Sequence, residues 1–244
     1  MQQVTLVEIS PGGITQFQQK FTLLELAPRF DGAKSSKIYW NKDVYPYTLR
    51  DFPAMLRKSR FGKPTKIGIA LGTTRHSPSN CEHAGYISDA MYIPELIEAL
   101  RKKRKDISFE SFLDIDVDVN TRGSYNLILS GDGEVNYLTN KLLDTLQDGL
   151  EIKYEQADKP FFNQQTSRVK HNMYGVVQLV KNPWVSQKAG ERFVFIVGGV
   201  GPVGTVASLR WLSRALASSS ELPDSPFAIV KGVEQEYTPE FDGY

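Results

Sequence analysis

The stretch that decides the fold is residues 192–218, which read RFVFIVGGVGPVGTVASLRWLSRALAS. It begins with an uninterrupted apolar run at 193–197, which is typical of a strand buried on both faces of a sheet. A loop with four glycines follows, and apolar residues then recur at helical spacing at Val206, Leu209, Leu212 and Leu216. Strand, glycine loop and amphipathic helix form the unit with which α/β proteins bring a ligand to backbone amides.

The glycine loop matches the G-x-G-x-x-G pattern of dinucleotide-binding proteins through Gly199, Gly201 and Gly204, with Thr205 next to it. In such a motif the glycines permit a tight turn, close approach to a phosphate and close helix–strand packing. Two features depart from an ordinary dinucleotide fold: no acidic residue ends the next predicted strand, and Pro202 removes an amide donor. A purely structural glycine turn is therefore the competing interpretation.

Two further apolar runs lead into loops of the same kind. The strand predicted at 66–71 runs into Gly72, Thr73 and Arg75, and the strand at 126–130 runs into Gly131 and Asp132 before a helix predicted at 134–147. Because ligands of open parallel sheets bind outside the carboxyl ends of the strands, three parallel strands would place these loops on one rim. The candidate binding residues are Gly199, Gly201, Gly204, Thr205, Gly72, Thr73, Arg75, Gly131, Asp132, Glu134 and Asn136.

The side chains of these loops indicate a polar ligand without identifying it, and no cofactor follows from them. Asp132 and Glu134 would repel a phosphate and suit ribose hydroxyls, a sugar, an amine or a cation, whereas Arg75 suits an anionic group. The alternative role of the two acids is to cap the following helix, since acids there stabilise a helix N-terminus by roughly 0.3–1 kcal/mol without any ligand.

We expect no metal site and assign no catalytic residue. His76, Cys81 and His83 lie within eight residues of each other, but the paired spacing of a structural zinc site is missing because the chain has a single cysteine. Asp114, Asp116 and Asp118 alternate with apolar residues and predict a half-exposed strand at 111–119. Alternate residues of a strand are about 7 Å apart, so these carboxylates do not reach one ion together.

Composition and charge limit the class of partner. The 29 basic and 28 acidic residues give a net charge of +1, which offers no electrostatic reason to expect a nucleic acid or an anionic membrane. One cysteine excludes an internal disulfide framework and fits a reducing compartment. The first residues lack a signal-peptide pattern, and the uncharged run 193–209 is too short and broken to span a bilayer. We therefore expect a cytoplasmic protein with a small-molecule partner, compatible with a homo-oligomer.

Strands that alternate with helical patterns predict an α/β fold, specifically a three-layer Rossmann-like sandwich around a mostly parallel sheet. The strand at 111–119 and an antiparallel pair at 176–180 and 193–197 are expected to add antiparallel edge strands. We assign residues 61–244 to this domain. Residues 1–60, with two predicted strands around a Pro-Gly-Gly turn, are assigned to an N-terminal β-rich extension packed on it.

Three segments carry a resemblance to known domains: NLILSGDGEVNYLTNKLL, YGVVQLVKNPW and FVFIVGGVGPVGTVASLRWL. They combine a glycine loop and its downstream Asn and Thr, an Asn-Pro segment and a second glycine loop, through Gly131, Asn136, Thr139, Asn182, Pro183, Gly198 and Gly204. In these features residues 66–217 resemble a group of uncharacterised prokaryotic Rossmann-like domains. The resemblance implies a fold and no particular activity.

These observations favour binding of a small polar or phosphorylated, nucleotide-like ligand at the strand-end rim, in a sensory or regulatory role. Binding ranks above catalysis because the sequence shows no convincing nucleophile–base pair. The enzyme alternative is a hydrolase or glycosyl-type transferase acting on a nucleotide or nucleoside, with Asp132 or Glu134 as acid/base and Arg75 on the phosphate. A third hypothesis is a ligand-free interaction module with Trp40 and Trp184 in an oligomer interface.

Overall fold

The computed structural model describes residues 4–10, 13–21, 36–40, 45–72, 82–133, 135–146, 150–154, 162–163, 168–169, 174–186, 189–199, 201–218 and 222–231. These residues form twelve strands and five helices. The strands are β1 (Val4–Ser10), β2 (Gly13–Phe21), β3 (Ser36–Trp40), β4 (Thr65–Leu71), β5 (Ile107–Leu113), β6 (Asn126–Ser130), β7 (Leu150–Tyr154), β8 (Phe162–Asn163), β9 (Arg168–Val169), β10 (Tyr174–Lys181), β11 (Phe193–Gly199) and β12 (Phe227–Lys231). The helices are α1 (Phe52–Arg57), α2 (Glu82–Lys103), α3 (Val119–Ser124), α4 (Tyr137–Leu146) and α5 (Gly201–Ser218).

Eight of these strands form one mixed sheet in the order β2-β1-β12-β10-β11-β6-β4-β5. The four strands β11, β6, β4 and β5 pair in parallel, and β10 runs antiparallel between β11 and β12. The predicted α/β class and mostly parallel sheet are therefore confirmed, as is the antiparallel pairing of β10 with β11. The position of that pair is not, because it lies inside the sheet rather than at an edge.

The central strand β11 shows how the apolar runs build the core. Its side chains alternate between two buried clusters, with Phe193, Phe195 and Val197 in one and Val194 and Ile196 in the other. Residues from α1, α2 and α5 complete the first cluster, and residues from α4 complete the second. A strand that feeds apolar clusters on both of its faces needs an apolar residue at every position, which explains the unbroken run.

The predicted strand at 111–119 is wrong in its position and direction. The strand is β5, an edge strand that pairs in parallel with β4 and ends where that pairing ends, at Leu71 opposite Leu113. Among the described residues, those beyond Leu113 pair with no strand, and residues 114–116 form a turn instead. Asp118 instead caps α3, since its Oδ1 accepts the backbone N–H of Thr121 at 2.7 Å.

The predicted start of the helix that ends at Lys103 is also wrong. The polar sequence as far as Asp89 and the helical spacing of apolar residues after it predict a helix that begins at about residue 92, with Pro94 in its first turn. The helix α2 already begins at Glu82, so Pro94 lies inside it. The proline is exposed, so the helix continues past it with the ring on its solvent side.

The first two strands continue the sheet beyond β12: β1 pairs in parallel with β12 and antiparallel with β2. The side chains of residues 1–44 lie outside the described residues, so the packing of residues 1–60 as an extension stays a prediction. None of the helices in the described part of the chain combines the length and apolar character that a bilayer-spanning segment needs.

Candidate functional site

The carboxyl ends of β4, β6 and β11 lie side by side, because these strands are parallel neighbours in the sheet. The expected convergence of the loops that follow them therefore holds for the described strand ends; we call this edge the rim. The chain passes from β4 to β5 on one side and then to β6 on the other side of β4. The strand order thus reverses between β4 and β6, the position at which open α/β sheets leave a crevice for ligands.

The loop at 131–136 crosses the ends of all three strands. The N–H of Gly131 donates to the carbonyl oxygen of Val197 in β11 at 2.8 Å. A Cβ added at Gly198 would lie 2.9 Å from the nitrogen of Asp132, and one added at Gly72 would lie 2.6 Å from the carbonyl oxygen of Val135. Both glycines therefore allow the backbone of this loop to lie directly on the strand ends.

The side chain of Asn136 lies at the reversal point itself and is fully buried. Its Nδ2 donates to the carbonyl oxygen of Ala70 in β4 at 3.0 Å and to that of Ser130 in β6 at 2.8 Å. Its Oδ1 accepts the backbone N–H of Thr139 at 3.0 Å, and the Thr139 hydroxyl donates to the carbonyl oxygen of Gly131. Asn136 thus joins two strands and caps α4, so the structure uses its amide within the protein.

Two fully buried carboxylates, those of Asp114 and Asp132, accept backbone N–H groups at the entry to α4. Asp132 Oδ1 accepts the N–H of Val135 at 3.3 Å, and Asp114 Oδ2 accepts the N–H of Tyr137, the first residue of α4, at 2.5 Å. The N–H of Asp114 in turn donates to the carbonyl oxygen of Leu71 at the end of β4. The hydrogen bond from Val135 to Asp132 supports the capping role that was considered for this acid. Both acids also place negative charge near the N-terminus of α4, where the helix dipole favours it.

Sequence reasoning missed Asp114 as a rim residue. The alternation at 111–119 placed it on the exposed face of a strand, whereas it follows the last residue of β5 and turns inward. The available signal was an acidic residue directly after the end of a strand. Polar groups at such positions lie at the carboxyl edge of a parallel sheet, where ligands bind.

The glycine loop at the junction of β11 and α5 lets this helix pack closely against β10 and β11. A Cβ added at Gly199 would lie 2.6 Å from the carbonyl carbon of Gly204, and one added at Gly175 would lie 2.1 Å from both the Gly204 oxygen and Ser208 Oγ. Thr205 is buried in the turn that follows. Close packing of helix on strand is thus a contribution of Gly199 and Gly204, while contact of this loop with a phosphate stays a prediction.

The rim brings together Gly72, Gly131, Asp132, Asn136 and Gly199 from the predicted set, with Gly201, Gly204 and Thr205 at the start of α5. Thr73, Arg75 and Glu134 lie outside the described residues, as do the side chains of His76, Cys81 and His83. Within the residues that the structure describes, no group of three or more His, Cys, Asp or Glu side chains is placed to hold a metal ion.

The chemistry offered by the described rim is that of hydrogen-bond acceptors held by a rigid backbone. Buried carboxylates suit hydroxyl and amine donors, because an ion removed from water needs hydrogen-bond partners. Comparison with protein-family models finds no match for this chain, and comparison with curated proteins finds none either. The assignment of a function therefore depends on the geometry of the rim.

Proposed function

We propose that the rim at the carboxyl ends of β4, β6 and β11 binds a small polar, nucleotide-like ligand in a sensory or regulatory role. The observation that supports this most directly is the reversal of strand order between β4 and β6. In this proposal the sheet and its helices form a Rossmann-like three-layer sandwich, the architecture in which such a reversal opens a crevice for a ligand.

The buried carboxylates of Asp114 and Asp132 favour a ligand with hydroxyl groups next to the loop at 131–136, such as the ribose of a nucleotide. A phosphate of the same ligand belongs away from these acids, at the N-terminus of α5. That helix has 18 residues and begins at Gly201, close to the end of β11, and a helix N-terminus favours an anion. The ligand would thus lie across the rim from β6 to β11.

Binding rather than catalysis is favoured by what the two acids do in the fold. Each accepts a backbone N–H at the entry to α4, through Val135 for Asp132 and through Tyr137 for Asp114. A carboxylate that accepts a backbone hydrogen bond is held in a fixed position, with one of its oxygens already occupied. This suits positioning of a ligand hydroxyl better than proton transfer.

Thermal unfolding of the full chain with adenosine, AMP, ADP and NAD tests the proposal. A ligand that binds only the folded state stabilises it by about 2.7 kcal/mol at a hundredfold excess over Kd. Asp132→Asn keeps an acceptor oxygen for the Val135 amide but removes the negative charge. We expect this variant to lose most of the ligand-induced rise in Tm while its unliganded Tm changes little.

Asp118→Asn is the matched control, because it makes the same substitution at an exposed acid that caps α3. It is expected to keep the full ligand-induced rise. The absence of a rise with all four compounds would overturn the proposal. An equal reduction in both variants would place the ligand away from the rim.

A further inference from the structure

A groove lies at the end of β11 opposite to the rim, at the amino terminus of the strand. It is an open groove of about 560 Å³ between the last turn of α4 and the connection from β10 to β11. The residues that line it include Leu146, Lys181, Pro183, Val185, Glu191 and Arg192. The seven residues of β11 separate it from the rim by about 20 Å, so it is a different site.

The guanidinium of Arg192 is held in place by the backbone around it. Its Nη1 donates to the carbonyl oxygen of Glu191 at 2.9 Å and to that of Phe61 at 3.4 Å. A Cβ added at Gly62 would lie 3.1 Å from this nitrogen. Gly62 also has a φ of 89°, which glycine adopts without strain. The absence of a side chain at this position lets the backbone lie close to the guanidinium. The arginine is thereby positioned before any ligand arrives.

Glu191, the acidic residue that lines the groove, already forms an ion pair with Arg60. Arg60 binds Glu191 in the bidentate manner, with Nε on Oε2 and Nη2 on Oε1. This hydrogen bonding lowers the pKa of the Glu191 carboxyl, and the charge of Lys181 adds to the effect. Glu191 therefore stays ionised and is occupied by a cation that does not line the groove.

Lys181 and Arg192 leave the groove with an excess of positive charge. In the described part of the chain, neither side chain comes within ion-pair distance of a carboxylate. Lys181 is exposed and Arg192 is half-buried, so both are accessible from the groove. Arg60 and Lys181 both act on the carboxylate of Glu191, and Arg192 lines the same groove.

The floor of the groove is a rigid turn. The buried side chain of Asn182 donates to the carbonyl oxygens of Arg122 at 2.8 Å and Tyr125 at 3.0 Å, and its Oδ1 accepts the N–H of Trp184 at 2.9 Å. The N–H of Asn182 donates to the carbonyl oxygen of Arg192. The end of β10 and the start of β11, which form one side of the groove, are therefore tied to each other and to α3, which limits the entropy lost when a ligand binds.

We propose that this groove binds a small molecule that carries one oxyanion group, a carboxylate or a phosphate, on an apolar body. Arg192 supplies the planar fork that matches either oxyanion, and Lys181 supplies a second positive charge. Leu146, Pro183 and Val185 provide the apolar surface for the body. The volume lies within the range of about 300–1,000 Å³ that is usual for small-molecule sites.

Calorimetric titration of the full chain with phenyl phosphate, benzoate and inorganic phosphate, at constant ionic strength, tests this inference. Saturable binding of phenyl phosphate or benzoate is expected, tighter than that of inorganic phosphate because the ring covers the apolar wall. The stronger of the two identifies the oxyanion. Arg192→Gln should weaken binding about tenfold. Arg192→Lys, which keeps the charge and loses the fork, should fall between this variant and the wild type.

Lys181→Gln changes an exposed side chain, so it tests the site even if Arg192→Gln fails to fold. It should weaken binding about threefold, the size of an exposed ionic contact. Lys105→Gln is the matched control: it removes the same charge before β5, three strands away from β11 and about 14 Å across the sheet. It should bind as the wild type does.

The inference is overturned if the wild type shows no saturable binding of any of the three probes. It is equally overturned if Lys105→Gln weakens binding as much as Lys181→Gln, because the effect would then be general ionic attraction. Wild-type affinity for phenyl phosphate in both Arg192→Gln and Lys181→Gln would also overturn it, because the anion would then bind outside the groove.

Discussion

The side-chain amide of Asn136 donates to the backbone carbonyl oxygen of Ala70 at 3.0 Å, across 66 positions of sequence. The same amide donates to Ser130, so one side chain joins the ends of β4 and β6 where the strand order reverses. The loop at 131–136, with Asp132 and its contacts to Gly72 and Gly198, is positioned by this residue. Stability and ligand binding at the rim therefore depend on the same side chain.

Asn136→Ala removes two buried hydrogen bonds to strand carbonyls and the cap of α4. We expect the free energy of unfolding in urea to fall by about 3 kcal/mol. Asn140→Ala is the control, because the side chain of this exposed residue donates to the Gly133 carbonyl oxygen and not to a strand. It should cost less than about 1 kcal/mol. Equal losses would mean that the contact with Ala70 does not support the rim.

Gly175→Ala should destabilise the packing of α5 on the sheet. The added methyl would lie 2.1 Å from the Gly204 carbonyl oxygen and from Ser208 Oγ, and the former is backbone that has to move. We expect a loss of about 3 kcal/mol in the free energy of unfolding.

Gly190→Ala is the comparison for this substitution. Its methyl would approach only Arg192 Nη1, at 4.0 Å, and the cost is the strain of a φ of 75°, about 1 kcal/mol. Urea denaturation of both variants measures the difference. If the two lose the same amount, then close helix–strand contact is not what Gly175 provides.

Tyr45 and Tyr47 are both buried, but their hydroxyl groups differ. That of Tyr45 donates to Gln178 Oε1 at 3.2 Å, whereas that of Tyr47 finds no hydrogen-bond partner among the described residues. Tyr45→Phe should therefore cost about 1 kcal/mol of unfolding free energy, and Tyr47→Phe should be neutral or stabilising. Chemical denaturation of the two variants checks this. A larger loss for Tyr47→Phe would reveal a partner for its hydroxyl.

Acid should weaken the junction between α2 and β5. The guanidinium of Arg104 donates to Asp106 through Nε and Nη2 and to the Gly62 carbonyl oxygen, and its hydrogen bond lowers the pKa of Asp106. A carboxyl whose pKa is lower in the folded state stabilises the fold above its unfolded pKa, about 3.9. That contribution is lost as the pH falls below about 4.

Asp106→Asn removes this linkage. Unfolding free energies measured from pH 7 to pH 2 should fall less steeply below pH 4 in the variant than in the wild type. If the unfolding free energies of the two proteins fall equally steeply below pH 4, then the ion pair with Arg104 makes no pH-dependent contribution to stability.

Much of the secondary structure could be predicted from local pattern. The largely apolar segments at 126–130 and 193–197 predict β6 and β11, because a strand that is buried on both faces has a mostly apolar sequence. The strand at 111–119 failed because alternation says which face a residue would occupy in a strand, and not where the partner strand stops. The start of α2 failed because a polar segment without strong periodicity gives no helical signal.

The roles of the rim residues divide in the same way. The sequence shows where a glycine is, but not why glycine is needed there. Gly72 and Gly198 leave room for the backbone of the loop at 131–136, which is more than 50 residues away from each of them in the sequence. Asn136 stood out only as one polar residue near a helix start. Its hydrogen bond to Ala70 depends on β4 and β6 being neighbours, which no local pattern reports.

By itself, the sequence determined the α/β class, the buried strands and the glycine loops that follow them, because these depend on side chains a few residues apart. The tertiary structure alone decided the order of the strands. That order places the loops on one rim and buries Asp114 beside Tyr137. It also leaves Lys181 and Arg192 together at the other end of the sheet. The reason is physical: strand order depends on pairing between segments far apart in the chain, and local periodicity carries no information about which segments pair.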